Sequence, residues 1–90
     1  MNWDYEFTKD AENDLKGLPR NIQVRVARTL EQITTNPFSG DIKALAEPEW
    51  KGIFRRRIGT YRLLFAINQE LHRVTILKIL LRSEKTYRRR

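Results

Sequence analysis

The feature that most constrains the fold is a two-residue connection, Gly59-Thr60, between two runs with the composition of β-strands. Residues 53–58 and 61–67 are rich in isoleucine, leucine and aromatic side chains. Glycine at the first of two central positions is typical of a type II′ hairpin turn, because that position has a positive φ angle. The sequence therefore predicts an antiparallel hairpin in which Ile58 lies opposite Tyr61.

This register determines which charged side chains meet. Arg57 is expected opposite Arg62, and Arg55 opposite Leu64. Since side chains two residues apart share a face of a sheet, three arginines are expected on one face, with Cβ atoms about 5–8 Å from their nearest neighbours. Like charges directly opposite destabilise a sheet, whereas the planar fork of arginine suits a phosphate group. The hairpin is therefore a candidate anion-binding surface.

Two other arginines have different expected positions. Arg82 ends the last predicted strand, which should run antiparallel to the strand that begins at Tyr61, so Arg82 is expected near Arg62 at one sheet edge. Arg56 is expected on the opposite face with Phe54, where an apolar side chain is usual. Its aliphatic stem can pack there while the charged end reaches the edge of the sheet.

The remaining periodicities predict the other elements. Residues 3–7 alternate apolar and acidic side chains, as in a half-buried strand. Thr8 is a suitable N-cap for a short helix that ends at Gly17. A second helix is expected over 19–35, ended by Asn36-Pro37, with a buried stripe of Ile22, Val26, Leu30 and Ile33. Residues 37–52 are expected to be irregular, with Leu45 and Trp50 as anchors, and 72–81 to form the last strand.

The predicted fold class is α+β, with the element order β-α-α-β-β-β in a single domain over residues 1–90. The two helices form a hairpin. The simplest packing places that helical hairpin on one face of a largely antiparallel four-stranded sheet. The other face is then left open, and the residues that it displays determine its role.

The charge of the chain is unevenly distributed. Residues 1–45 carry six Lys/Arg and seven Asp/Glu, a net charge of −1, whereas residues 46–90 carry twelve Lys/Arg and four Asp/Glu, a net charge of +8. A one-sided positive field attracts polyanions and accelerates their association. A basic solvated face is the alternative that charge alone leaves open.

Several function classes are unsupported. The chain has no cysteine, which excludes disulfides, thiol catalysis and cysteine-based metal sites. No apolar run reaches the roughly 18 residues of a membrane span, and the N-terminus does not resemble a signal peptide. We therefore expect a cytoplasmic protein. The only histidine, His72, is expected to be a surface residue, and we predict neither a metal nor a cofactor.

The residues 54–65, FRRRIGTYRLLF, resemble the YRxRxGxYRxxY hairpin of the RelE/ParE toxin superfamily. The ending from Arg82 to Tyr87 resembles the arginine-then-tyrosine ending of that family, and residues 7–11, 36–37 and 43–45 also match family landmarks. The resemblance covers nearly the whole chain and agrees with the predicted element order. It implies the toxin component of a type II toxin–antitoxin system.

RelE-type toxins enter the ribosomal A site and cut mRNA, so the resemblance implies a metal-independent endoribonuclease that inhibits translation. The ribose 2′-OH attacks the adjacent phosphate and leaves a cyclic phosphate and a free 5′-hydroxyl. Matching the family residue by residue assigns catalysis to Arg57, Arg62, Arg82 and Tyr87. The residues expected to bind RNA are Arg55, Lys43, Lys51, Lys85 and Arg88.

Individual roles follow from the chemistry of these side chains. Arg57 and Arg62 would clamp the phosphate and stabilise the additional charge of the transition state. Arg82 would neutralise or protonate the leaving oxygen. Arg55 and Arg57 stand where the best-known relative has lysines, and arginine is a poor general base. Proton transfer therefore falls to Tyr87, whose reference pKa of about 10 would be lowered by neighbouring arginines.

Two alternatives and one class of partner accompany this interpretation. The chain could be a ParE-like inhibitor of DNA gyrase without nuclease chemistry, or an RNA- or ribosome-binding module that blocks translation without cleavage. In either toxin class the family implies a cognate antitoxin and a hetero-oligomer with it. An acidic, partly disordered antitoxin would complement the basic second half of the chain.

Overall fold

The computed structural model describes residues 3–40, 42–45 and 48–81. In chain order these segments contain β1 (Asp4–Phe7), α1 (Lys9–Lys16), α2 (Arg20–Thr35), β2 (Ile42–Ala44), a 3-10 helix (Pro48–Trp50), β3 (Ile53–Ile58), β4 (Tyr61–Asn68) and β5 (Arg73–Leu81). The fold is α+β, and the predicted order of the longer elements is confirmed.

The strands form one sheet with the spatial order β1-β5-β4-β3-β2. Strand β1 runs parallel to β5, and the other three neighbouring pairs are antiparallel. The prediction of a largely antiparallel sheet is therefore confirmed. Strand β5 lies inside the sheet, between β1 and β4, as expected for the most apolar strand.

The sheet has five strands instead of the four predicted. The additional strand, β2, lies in the segment that was expected to be irregular, and it pairs antiparallel with β3. A strand of three residues is too short for its alternation to be recognised, and the surrounding prolines and glycines indicate a loop. Strand β2 extends the sheet beyond β3.

Both helices have the ends that the sequence predicts. The Oγ1 atom of Thr8 accepts a hydrogen bond of 3.2 Å from the backbone N–H of Ala11, which caps α1. Helix α2 follows Pro19 directly. The side-chain amide of Gln23 donates to the carbonyl oxygens of Leu15 and Leu18 and so links the two helices. In the described segments, neither helix has the length and apolar character needed to cross a membrane.

The core lies between the helices and one face of the sheet. The predicted stripe of α2 is buried as expected. It packs with Ala11 of α1 and with buried sheet residues, namely Ile58, Leu63, Phe65, Val74, Ile76 and Ile79. Burial of this apolar surface stabilises the fold, and each large buried side chain contributes about 1.5–3 kcal/mol.

Helix α1 also covers the part of β5 that β1 does not reach. Strand β1 pairs only with residues 73–76 of β5. Further along, the backbone N–H of Ile79 donates a 2.9 Å hydrogen bond to the carboxylate of Asp14 in α1. Lys78 Nζ lies 3.9 Å from the same carboxylate. A helix side chain thus satisfies an edge N–H group that would otherwise lack a strand partner.

Candidate functional site

The β3–β4 hairpin has the predicted turn and register. Gly59 has a φ of 60°, and Thr60 is not among the residues with positive φ, which is the type II′ pattern. Ile58 pairs with Tyr61, and Arg57 pairs with Arg62. The short turn allows no slippage between the strands, so the sequence alone determined this register.

Four basic side chains share the sheet face that is remote from the helices. Arg57 and Arg62 form one cross-strand pair, and Arg55 lies two residues before Arg57. Strand β2 adds Lys43, which is the direct partner of Arg55. Directly opposite residues have Cβ atoms about 4.5–5.5 Å apart. We call Lys43, Arg55, Arg57 and Arg62 the basic face.

Exposure differs within the basic face. Arg57 and Lys43 are exposed, whereas Arg55 and Arg62 are half-buried. In the described segments, neither Arg55 nor Arg57 forms a salt bridge. Arg55 and Arg57 share one face of β3 with Lys43 and Arg62 beside them, and this concentration of positive charge produces a strong local positive potential. The arrangement therefore attracts an anion that can bridge neighbouring strands.

Two buried leucines lie among the arginines of the basic face; the sequence placed Leu64 opposite Arg55, but its burial was not predicted. Leu64 is the cross-strand partner of Arg55, and Leu80 is the partner of Arg62. Both leucines are buried, with exposures of 0% and 5%, although neither belongs to the core beneath the helices. Apolar side chains beside charges exclude water and reduce screening, which strengthens the attraction of a bound anion. The continuous apolar runs of β4 and β5 are the signal that could have revealed their burial.

Arg56 lies on the opposite face, as predicted. It pairs with Leu63, which is a core residue. Its guanidinium donates to the side-chain oxygen of Gln32 in α2 and to the carbonyl oxygen of Ser39. Arg56 therefore connects β3 to the end of α2, and the run of three consecutive arginines is divided between the two faces of the sheet.

The other predicted site residues are not part of the basic face as described. Lys51 is exposed in the turn before β3, beyond the paired residues of that strand. The predicted catalytic residues Arg82 and Tyr87 lie outside the described residues, as do Lys85 and Arg88. Their roles remain predictions.

The described segments contain no cluster of metal-ligating side chains. No group of three or more histidine, aspartate or glutamate side chains is placed there to bind one. His72, expected to be a plain surface residue, is instead half-buried, and its ring centroid lies 4.0 Å from that of Trp3. The guanidinium groups of the basic face can bind an anion and stabilise developing negative charge.

The opposed arginines lead to a prediction about stability. We expect Arg57→Gln to raise the free energy of unfolding, on the scale of the roughly 0.2–1 kcal/mol typical of cross-strand pairs, because it removes a repulsive pair. The same change should weaken binding of a single-stranded oligonucleotide. Thermal and urea unfolding at low and high salt would measure the first effect, which should shrink as salt screens the repulsion.

Arg20→Gln is the matched control for that experiment, since Arg20 is an exposed arginine at the start of α2. This substitution also removes one positive charge, but it leaves the repulsion between Arg57 and Arg62 unchanged. Equal stabilisation by both variants would show that net charge, not the opposition of Arg57 and Arg62, limits stability.

Comparison with known proteins gives a consistent picture of the chain. Residues 5–86 match the family model described as the ParE toxin of the type II toxin–antitoxin system parDE. No curated protein sequence matches significantly. The match to the family model spans all the helices and strands of the sheet except the first residue of β1.

Solved structures resemble the fold closely. A chain of the RelBE2 toxin–antitoxin complex from Mycobacterium tuberculosis is 32% identical, with a TM-score of 0.81, and the alignment covers 91% of this chain and 100% of that one. A chain of the archaeal RelE–RelB complex from Pyrococcus horikoshii OT3 is 22% identical, with a TM-score of 0.78 and coverages of 94% and 100%. Isolated Escherichia coli RelE toxin is 14% identical, with a TM-score of 0.77 and coverages of 92% and 87%.

Proposed function

The chain belongs to the ParE toxin family of type II toxin–antitoxin systems, within the RelE/ParE superfamily, and from this premise we propose that it is a ribosome-dependent endoribonuclease. In this proposal it acts in the cytoplasm and cleaves mRNA in the ribosomal A site. The observation that carries the proposal is the basic face, where Arg57 and Arg62 form a directly opposed pair. Like charges directly opposite each other on a sheet are destabilising, and a phosphate that accepts from both guanidinium groups would offset that repulsion.

The proposed reaction is an internal phosphoryl transfer. The 2′-oxygen of the ribose forms a bond to the adjacent phosphorus, and the bond from phosphorus to the 5′-oxygen breaks. The 2′-hydroxyl loses its proton and the departing 5′-oxygen gains one, so the products are a 2′,3′-cyclic phosphate and a 5′-hydroxyl. No metal or redox partner is needed to balance this step.

The basic face suits the charge changes of this reaction. The attacked phosphate carries additional negative charge in the transition state. Arginine forks from two neighbouring strands can donate to its oxygens from fixed positions, and such preorganised donors favour the transition state over the ground state. Arg57 and Arg62 take this role. Arg55 and Lys43 hold the neighbouring RNA backbone, and Lys51, Lys85 and Arg88 are proposed as further RNA contacts.

Proton transfer is assigned to a different residue. An arginine keeps its charge at any working pH, so no arginine of the basic face can remove the 2′-hydroxyl proton. We assign proton transfer to Tyr87 and neutralisation of the leaving 5′-oxygen to Arg82. Both assignments rest on the family resemblance and on side-chain chemistry.

Inhibition of DNA gyrase is the second candidate function, and a specific observation favours it. The family model that matches the chain is that of the ParE toxin, whereas the solved structures similar to it include RelE toxins. The fold is thus common to both activities. The basic face favours the nuclease, because its chemistry serves phosphate cleavage directly.

An antitoxin is the proposed partner of the toxin. The similar structures from Mycobacterium tuberculosis and Pyrococcus horikoshii are toxin–antitoxin complexes. We propose that a cognate antitoxin forms a hetero-oligomer with this chain and silences it by covering the basic face. An acidic antitoxin segment would relieve the repulsion within that face while excluding RNA.

Primer extension on ribosome-bound mRNA tests the proposed function. The purified toxin should produce discrete cuts within codons, and these cuts should disappear when ribosomes or the toxin are omitted. Intact mRNA together with stalled translation would replace the proposal with a non-cleaving translation inhibitor. Intact mRNA together with gyrase-dependent DNA breaks in a parallel assay would replace it with ParE-like activity.

A further inference from the structure

A second group of arginines lies behind the hairpin, on the α2 side of the sheet. The Nη1 atom of Arg25 lies 2.6 Å from the position that a Cβ atom on Gly59 would occupy. The guanidinium of Arg25 therefore lies against the hairpin turn, in the space left by the missing side chain. The glycine thus has two functions: it adopts the positive φ of the turn, and it leaves room for a cation.

Arg25 belongs to a continuous basic stripe. Arg28 follows it by one helical turn, and Gln32 follows Arg28 by another, so the three side chains lie along one side of α2. The stripe runs beside β3, because Gln32 accepts a hydrogen bond from the guanidinium of Arg56. We call Arg25, Arg28 and Arg56 the seam arginines.

The seam arginines are available to an external anion. Arg25 and Arg28 are exposed, and the salt bridges found among the described residues involve neither of them nor Arg56. Contact with the turn or with neighbouring side chains restricts the movement of Arg25 and Arg56. Side chains that are already positioned lose less conformational entropy when they bind a ligand.

The seam arginines and the basic face lie on opposite sides of the sheet, and they approach each other at the turn of the β3–β4 hairpin. Arg57 precedes Gly59 by two residues, a distance of about 7 Å along an extended strand. An RNA strand that passes over the Gly59 turn can therefore contact Arg57 with one phosphate and Arg25, which lies against the turn, with a later one.

We propose that the RNA-binding surface continues from the basic face, over the Gly59 turn, onto the seam arginines. In this arrangement Arg25, followed by Arg28, binds backbone phosphates that flank the cleaved one. The inference rests on the proposed ribonuclease function and extends the binding site of the substrate. Continuity with the basic face favours an RNA strand as the occupant over an acidic protein segment, because the strand must already pass the hairpin.

Binding of non-cleavable RNA of two lengths tests this proposal. Fully 2′-O-methylated single strands lack the attacking hydroxyl, so binding is measured without cleavage. One strand is just long enough for the basic face, and the other is long enough to pass the hairpin turn. Arg25→Gln should weaken binding of the long strand about threefold to tenfold and leave the short strand unaffected. The dependence of log affinity on log salt should decrease by about 0.7 for the long strand.

Three variants make the result specific. Arg20→Gln removes an exposed arginine at the first residue of α2, five residues before Arg25, and should change neither affinity. Arg28→Gln should reproduce the length-dependent loss without disturbing the contact between Arg25 and the turn, which guards against an effect on folding. Arg25→Lys keeps the charge and should recover part of the lost affinity.

Each outcome decides the proposal. Equal losses for both lengths, or no loss for either strand, would overturn it. Losses seen only with an acidic peptide and not with RNA would assign the seam to a protein partner instead. If Arg25→Gln weakens binding of the long strand alone, but the wild-type toxin does not cut ribosome-bound mRNA, the extended RNA-binding surface is supported and the nuclease activity is rejected. The two proposals can therefore fail independently.

Discussion

Replacement of Arg62 by alanine is expected to reduce mRNA cleavage by a factor of about 100 to 1,000, the usual cost of losing one preorganised donor to a developing oxyanion. Arg62 is half-buried beside Leu80 and opposite Arg57. Its guanidinium therefore acts close to apolar surface, where screening by water is weak. Primer extension under single-turnover conditions would measure the loss, and the cutting rate should fall more than ribosome affinity.

Arg62→Lys separates the charge of this residue from its geometry. Lysine keeps the positive charge but cannot donate two parallel hydrogen bonds, so we expect an intermediate cleavage rate. Circular dichroism and thermal unfolding should show that both variants fold, which matters because the arginine stem also packs. A folded Arg62→Ala protein that cuts mRNA at the wild-type rate would remove Arg62 from the site. The same loss is expected for Arg82→Ala.

The second large effect is expected from Tyr87→Phe. Removal of a general acid or base typically lowers a rate by a factor of about 100 to 10,000. The phenylalanine ring keeps the size of the side chain and eliminates its transferable proton. Cleavage should therefore slow far more than binding to the ribosome weakens, as measured by single-turnover cutting and by cosedimentation with ribosomes.

Tyr61→Phe is the matched control, since Tyr61 is a half-buried tyrosine that packs against the core at the start of β4. It removes a hydroxyl from a tyrosine of the β3–β4 hairpin and leaves the proposed proton-transfer residue unchanged. Near-normal cleavage is expected for this variant. If Tyr87→Phe instead reduced binding and cleavage by the same factor, Tyr87 would be a contact residue and another group would transfer the proton.

Local rules made much of the fold predictable. The two-residue turn with glycine at its first position left one register for the hairpin, and this register brought Arg57 and Arg62 together. The helix stripe and the Thr8 cap were equally clear, because both depend on residues within a few positions of one another. These features require no knowledge of distant contacts.

The features that were missed depend on contacts between distant segments. Strand β2 exists because β3 provides a partner for it, and its three residues carry no pattern of their own. The approach of Arg25 to Gly59 joins positions on α2 and the hairpin that no local periodicity relates. For the same reason the sequence could identify the arginines of the basic face but could not show that the surface continues behind the hairpin.

The position of β5 has a consequence for how the protein becomes active. This strand follows all the other described strands in the chain, yet it lies between β1 and β4 in the sheet. Until β5 has been synthesised, β1 has no strand to pair with and one edge of β4 is unpaired. The core also lacks Val74, Ile76 and Ile79. Pairing of β1 with β5 joins segments that are far apart in the chain, and such non-local pairing is intrinsically slow. A chain that has not yet been synthesised through β5 therefore cannot form the complete sheet, and folding of the toxin must await the synthesis of this strand.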